Sequence, residues 1–196
     1  HPKFDENTYI DIVKSIREVS DTIHIHAFSP LEISHGANCA NTDVKSYLLK
    51  LKEAGLNSLP GTAAEILDDN VREVICPDKI NTNEWLNVIK AAHSIGLPTT
   101  STMMFGHVEN YYDIAQHMHE LKSLQLQSNE ITEFVPLPYV ASEAPMYLRG
   151  LSRSGPSFRE SVLVHSISRI YFNESIKNIQ GSWVKMGYAG LSYLLD

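Results

Sequence analysis

His24 and His26 stand two positions apart in the run Ile23-His24-Ile25-His26-Ala27-Phe28-Ser29-Pro30. On an extended chain that spacing turns both imidazoles to one side, where they can hold a polar substrate, ligate a metal, or serve as hydrogen-bonded core groups. Leu59-Pro60-Gly61-Thr62-Ala63-Ala64-Glu65, Ser101 to Glu109 and Thr132 to Pro138 end in a similar way, each passing from apolar residues to small or polar ones. In a barrel of parallel strands this transition marks the carboxyl end of a strand, where the chain leaves the core and begins to line an active site. Its recurrence along the chain points to an enzyme.

Each run offers candidate ligands. Gly106 would let the backbone approach a flat ligand, and Glu109 could bind a polar group there; a turn glycine with a helix-terminal carboxylate explains the same residues. Thr62 and Glu65 read either as a capping box opening a helix or as the hydroxyl and carboxylate of a ribose site. Glu133 lies within an apolar strand, where an unpaired carboxylate is costly to bury. It is therefore a better functional candidate than the solvent-facing acids. Gln180, Ser182 and Lys185 close the final apolar run, with surface solvation an alternative for Lys185. Cys39 and Cys76 are 37 positions apart and belong to no C-x-x-C, so they read as two reduced thiols rather than a disulfide or zinc framework.

The elements that must position these groups alternate. Tyr9, Ile12, Val13, Ile16 and Val19 form a helical stripe over residues 7–19, followed by a buried strand over 22–26. Thr42 can cap a second helix with Val44, Tyr47, Leu48, Leu51 and Ala54 inward and Gly55 at its end, before a short strand at 56–59. Asn81 or Thr82 can cap a third helix, with Trp85, Val88, Ile89 and Ala92 inward and Gly96 after it. A strand at 99–105, a helix at 111–124 and a strand at 131–135 follow. Ser157-Phe158-Arg159-Glu160 has capping-box spacing and opens a helix with Val162, Leu163, Ser166, Ile167 and Ile170 inward; the last strand spans 178–184. Strands separated by a helix each time are the mark of parallel βα units. The expected fold is α/β, a partial TIM-type barrel of about five parallel strands in one domain spanning 1–196, since a closed barrel usually needs about 250 residues.

Composition narrows the function classes. With 196 residues and 43% hydrophobic content the chain can bury one core. A net charge of -7 with scattered Lys and Arg argues against nucleic-acid or anionic-membrane partners. Apolar runs of about seven to ten residues fall well short of the ~20 needed to cross a bilayer, and no signal peptide is visible. A soluble, non-secreted protein of the cytoplasm or an organelle matrix is expected, and the absence of an initiating Met points to a piece of a longer protein.

At the blocks HIHAFSPLEI, SLPGTAAEILDD, ICPDKI, TTSTMMFGHVE, TEFVPLPYV, Ala144-Pro145 and NIQGSWVKMG the chain resembles the second half of FO synthase (CofH), a family of radical S-adenosylmethionine enzymes. The resemblance implies a transferase that makes a 5′-deoxyadenosyl radical, abstracts hydrogen from tyrosine and joins the hydroxybenzyl fragment to 5-amino-6-ribitylaminouracil. It further implies S-adenosylmethionine and a 4Fe-4S cluster as cofactors, with the other FO synthase half as a partner. TMMFGHVE is similar to the G-x-I-x-G-x-x-E element that packs on the adenine, with Thr102 in place of the first glycine. The implied cofactor contacts are Thr62, Glu65, Ser101, Thr102, Met104, Gly106, Glu109, Val135 and Pro136. The implied substrate contacts are His24, His26, Ser29, Glu133, Gln180 and Ser182, and no residue is assigned to the chemical step.

The C-x-x-x-C-x-x-C triplet that ligates the cluster in this family is absent, and no metal ligands are assigned to the chain. His1-Pro2 resembles the end of the family's second strand, so the cluster loop is expected upstream, the last strand or strands downstream of Asp196, and the chain by itself inactive. Three alternatives stand beside this reading. They are a related futalosine-route enzyme of menaquinone synthesis (the MqnC/MqnE relatives), a metal-dependent barrel hydrolase using His24 and His26 with His107 or His165, and a non-catalytic remnant.

Overall fold

The computed structural model describes residues 4–195; the His1-Pro2 strand end falls outside them. Its centre is a parallel sheet of three strands in the order β1 (Thr99–Phe105), β2 (Ile131–Pro138) and β3 (Asn178–Ile179). Two single-residue bridges extend the array, His26 pairing with Ser58 and Leu59 with Thr99, both parallel. Five chain segments thus run side by side in sequence order, three as strands and two, 24–27 and 57–60, as bridge-paired edges. Parallel neighbours need a crossover, and helices supply it.

Those helices are α1 (Thr8–Val19), α2 (Pro30–Cys39), α3 (Val44–Ala54), α4 (Asp69–Ile75), α5 (Thr82–Ser94), α6 (Tyr111–Ser128), the single turn α7 (Pro145–Leu148), α8 (Phe158–Phe172) and α9 (Trp183–Leu195). They bury the sheet's apolar side chains in two clusters. Tyr9, Ile33, Tyr47, Leu48 and Leu51 surround Ile25, Leu59 and Val88 in one. Trp85, Ile89, Met118, Leu121 and Phe172 enclose Met103, Phe105, Phe134 and Ile179 in the other. Because side chains alternate across a strand, the intervening residues His24, His26, Ser58, Met104, Glu133, Val135 and Gln180 stand on the face the helices leave uncovered.

Local chemistry explains most boundaries. Asn81 opens α5 with a reciprocal capping box to Glu84, Asn110 does the same for α6 with Asp113, and Gly55 ends α3 in the left-handed region at φ 115. Asp43 caps α3 in place of the expected Thr42. Helix α2 was not expected from apolar periodicity, yet Ser29-Pro30-Leu31-Glu32 carries its signature: Ser29 and Glu32 form a capping box with proline at the first turn. At the start of β1, His93 lies 3.0 Å from the Thr99 hydroxyl and 2.7 Å from that of Ser128, and burial depresses its pKa to about 4.

Four further expectations are corrected. Residues 22–26 form no strand; Ile23 is exposed and only Ile25 packs inward. Thr62 to Glu65 opens no helix, because Arg72 of α4 holds the Ala64 and Ile66 carbonyls in a turn and α4 begins later, capped by Asp68. The final strand stops after two residues. Gly181 packs under Leu191 and Leu194, and the Ser182 carbonyl accepts the Lys185 and Met186 amides, which starts α9 in its place.

The fourth correction concerns the face that α8 buries. Leu163, Ile167 and Ile170 are exposed, while Ser161, Val164, His165, Ser168 and Phe172 point inward. Polar groups can be buried there because they bond to the helix itself. Ser161 and Ser168 donate to the carbonyls of Ser157 and Val164, and His165 Nδ1 lies 2.7 Å from the Ser161 carbonyl. Ser157 accepts from the Glu160 amide, but Glu160 turns to Arg153 and leaves the box half formed. Leu163 and Ile167 instead line a groove of about 400 Å³ against Tyr111, Ile114 and Met118 of α6.

The rotated face makes an ordered prediction. Ile170→Ser should change unfolding free energy by no more than about 0.5 kcal/mol, whereas Phe172→Ala should cost about 3–5 kcal/mol. Urea titration of both variants checks this, and a larger loss at Ile170 would refute the orientation.

Candidate active site

Two polar clusters occupy the carboxyl ends of the parallel segments. The first is open. His24 Nε2 and His26 Nδ1 both lie 2.7 Å from the hydroxyl oxygen of Ser58, on the adjoining segment. The bridge pairing of His26 with Ser58 sets that register. Both imidazoles are exposed while Ser58 is buried beneath them. Burial lowers the His26 pKa, the negative charge of Glu133 opposes the shift, and His24 adds to it. Glu133 in turn accepts a hydrogen bond from Gln180, joining β2 to the end of β3.

The second cluster is closed. Glu109 is buried, with Oε1 accepting the Gly106 amide at 2.6 Å and Oε2 the His107 amide at 2.9 Å. Arg153 reaches Glu109 at 3.2 Å and also grips Glu160 through two hydrogen bonds of 2.9 and 2.6 Å. Burial alone would raise the Glu109 pKa; the His107 side chain and the two amides outweigh it and bring the value down to about 2. The result is a charged lock on the turn after β1. His107 continues it, its Nε2 donating to the Met104 carbonyl at 2.9 Å.

Between them lies the turn at 60–66. Gly61 donates to the Thr100 hydroxyl at 3.1 Å and accepts from that of Thr102 at 3.1 Å. A Cβ on Gly61 would sit 2.1 Å from the Thr100 carbonyl oxygen, so only glycine lets this turn lie against β1. Glu65 pairs with Lys79 at 2.8 Å, and its carbonyl accepts the Met104 amide.

The structure therefore sorts the sequence candidates. It gathers His24, His26, Glu133 and Gln180 on the uncovered face, with Met104 and Val135 half-buried on the neighbouring strands and the exposed Thr62 at the turn. Ser101 and Pro136 are buried on the opposite side, Ser101 donating to the Glu133 carbonyl. Thr102 is engaged with Gly61, and Ser29 caps α2. Ser182 sits where α9 begins. At Gly106 the space a side chain would take belongs to Pro156, and both Glu109 oxygens are occupied. Ser58, Arg153 and Glu160 were missed. Ser58 could have been found as the small polar residue facing H-x-H on the adjoining segment; nothing in the spacing of Arg153 marks it as a partner of Glu109.

Among the described residues no three His, Cys, Asp or Glu groups come together as a metal site. His107 and His165 are buried in bonds to main-chain carbonyls and do not join His24 and His26, which removes the geometric basis of the hydrolase reading. Cys39 is exposed on α2 and Cys76 buried at the end of α4, so the two thiols do not fit a cluster that needs converging thiolates. The described residues hold no helix long and apolar enough to cross a membrane.

A variant tests the lock. The Glu109 pKa is depressed from 4.5 to about 2, so its stabilising effect is present in full above 4.5 and is lost as pH falls through 2. Glu109→Gln should cost about 3 kcal/mol at neutral pH, and its deficit relative to the parent should shrink as pH is lowered through that window. Denaturant titrations at several pH values measure it; a deficit independent of pH would refute the assignment.

Comparison with known proteins places the chain in a family. The family model of the radical SAM superfamily matches residues 5–121. A 5-amino-6-(D-ribitylamino)uracil–L-tyrosine 4-hydroxyphenyl transferase of Methanocaldococcus jannaschii is 49% identical over 190 residues, covering 95% of this chain and 53% of the relative. An FO synthase of Nocardia farcinica is 43% identical over 195 residues, which cover all of this chain and 22% of that protein. The crystal structure of methylornithine synthase matches the fold with a TM-score of 0.69 at 16% identity, over 97% of this chain and 50% of that one. The chain thus spans about half the length of the transferases it matches. From the matched model, the parallel array and the shared fold, this chain belongs to the radical SAM superfamily.

Proposed function

We propose that this chain is the central and C-terminal part of a radical S-adenosylmethionine transferase that joins the hydroxybenzyl group of tyrosine to 5-amino-6-(D-ribitylamino)uracil in deazaflavin formation. The observation that carries the reading is the 49% identity to a transferase of that name across 95% of the chain. The polar face at the segment ends supports it, since small, multiply hydroxylated and ionic substrates need several fixed hydrogen-bonding groups close together.

In this reading His24, His26, Glu133 and Gln180 receive the polar groups of the two substrates. Thr62, Met104 and Val135 contact S-adenosylmethionine, which supplies the radical chemistry when bound. Ser101 and Pro136 back the strands from the helix side. Gly106 and Glu109 shape the turn that carries Met104, and the Glu65–Lys79 pair steadies the loop of Thr62. The 4Fe-4S cluster is ligated by residues other than Cys39 and Cys76, because two separated thiols cannot form a three-thiolate set. The other FO synthase half is the proposed partner.

The test is anaerobic reconstitution of the full reading frame that contains this segment, with mass spectrometry of the products. Tyrosine and the ribitylaminouracil should yield the coupled product, and Glu133→Ala or His26→Ala should lower kcat/KM by about ten-fold or more, the cost of a lost charged hydrogen bond. Turnover of a futalosine-route substrate in their place would overturn the assignment. The 196-residue chain alone should release no 5′-deoxyadenosine when given iron, sulfide and reductant; release would overturn the placement of the cluster.

A further inference from the structure

We propose that Ser58 ties His24 and His26 into a proton relay whose two outer nitrogens, while both rings are neutral, present one donor and one acceptor, and that this pair holds the N–H/C=O edge of the pyrimidinedione ring. Only the identity of the ring rests on the function proposed above. The relay itself rests on geometry.

A serine hydroxyl carries a single proton. Its oxygen lies 2.7 Å from His24 Nε2 and 2.7 Å from His26 Nδ1 and is buried, with no other hydrogen-bond partner among the described residues; accepting from both rings would leave its own proton buried and unbonded, so Ser58 donates to one imidazole and accepts from the other. With both rings neutral this leaves two arrangements. If His24 donates through Nε2, Ser58 donates to His26 Nδ1, and the His26 proton sits on Nε2. If His26 donates through Nδ1, Ser58 donates to His24 Nε2, and the His24 proton sits on Nδ1. In each arrangement both histidines carry the same tautomer, and of the outer nitrogens, His24 Nδ1 and His26 Nε2, one bears a proton and the other a lone pair. Both rings are exposed, and neither outer nitrogen has a hydrogen-bond partner among the described residues.

A ring edge with adjacent N–H and C=O groups offers the acceptor and donor complementary in kind to this pair, whereas a phenol offers one polar atom and engages one nitrogen. The relay also permits exchange. The ring N–H passes its proton to His24 Nδ1, His24 Nε2 to Ser58, Ser58 to His26 Nδ1, and His26 Nε2 to the ring oxygen. Four protons each move by one bond, the edge changes from lactam to lactim, and no charge or electron is gained or lost. Ser58 is therefore a positioning residue acting through two imidazoles, with Glu133 beside His26 and Gln180 bonded to Glu133.

Two-bond proton–nitrogen NMR of the histidine-labelled 196-residue chain, at a pH well above the imidazole range, reads the tautomers directly. His24 and His26 should match; one Nδ1–H beside one Nε2–H would overturn the relay. Calorimetry with 5-amino-6-ribitylaminouracil and its ring-N-methylated analogue tests the edge. Ser58→Ala should weaken binding of the parent compound about ten-fold, Ser58→Thr should retain it, and methylation should cost the unsubstituted chain about the same factor. Equal affinity in Ser58→Ala, or for the methylated compound, overturns the edge assignment. No detectable binding of the aminouracil where tyrosine does bind overturns the ring's identity, while matched tautomers would still uphold the relay. Should Ser58→Ala fail to fold, the tautomers of the parent chain decide.

Discussion

Parallel pairing between consecutive segments is the constraint on which the rest of this molecule depends. Each segment must return to the same end of the sheet before it can pair again, so helices cover one face and every crossover delivers a fresh loop to the carboxyl end. Where only one face is covered, the two-residue alternation of side chains divides the strands into a packed set and a displayed set. Ile25, Leu59, Met103, Phe134 and Ile179 belong to the first; His24, His26, Glu133 and Gln180 belong to the second. A register slip of one residue would exchange the two sets and destroy core and site together.

Within that frame the two polar clusters divide the work. The Glu109 carboxylate, charged and enclosed, fixes the turn that follows β1 through two amides, His107 and Arg153. The two histidines lie in the open over the buried Ser58, bonded through it with outward nitrogens to spare. A buried charge with all its partners present gives rigidity; an exposed hydrogen-bonded chain with free ends gives recognition. The strand ends need both, since a ligand-facing group is only as well placed as the turn that carries it.

Much of this was legible in the residues. The spacing of Trp85, Val88, Ile89 and Ala92 located α5 and its buried face, and the runs at 99–105 and 131–135 located β1 and β2, because each carries one clear period. The face of α8 was not legible, since its inward Ser161, His165 and Ser168 bond to carbonyls of their own helix and mimic a solvent stripe. The role of Glu109 was half legible: a carboxylate three residues after Gly106 signals a partner at a strand end, yet the arginine that completes the lock comes from a loop 44 positions away. His24 and His26 were visible as a pair, but the hydroxyl that couples them belongs to another segment, and only tertiary register brings it there.

Gly61 shows how little material can govern such a face. With no side chain, the turn rests directly on the Thr100 carbonyl and is clasped by two threonine hydroxyls from the same strand. A single methyl would act as a wedge, prising the Ser58 segment from β1 and opening the seam between the histidine-bearing edge and the sheet.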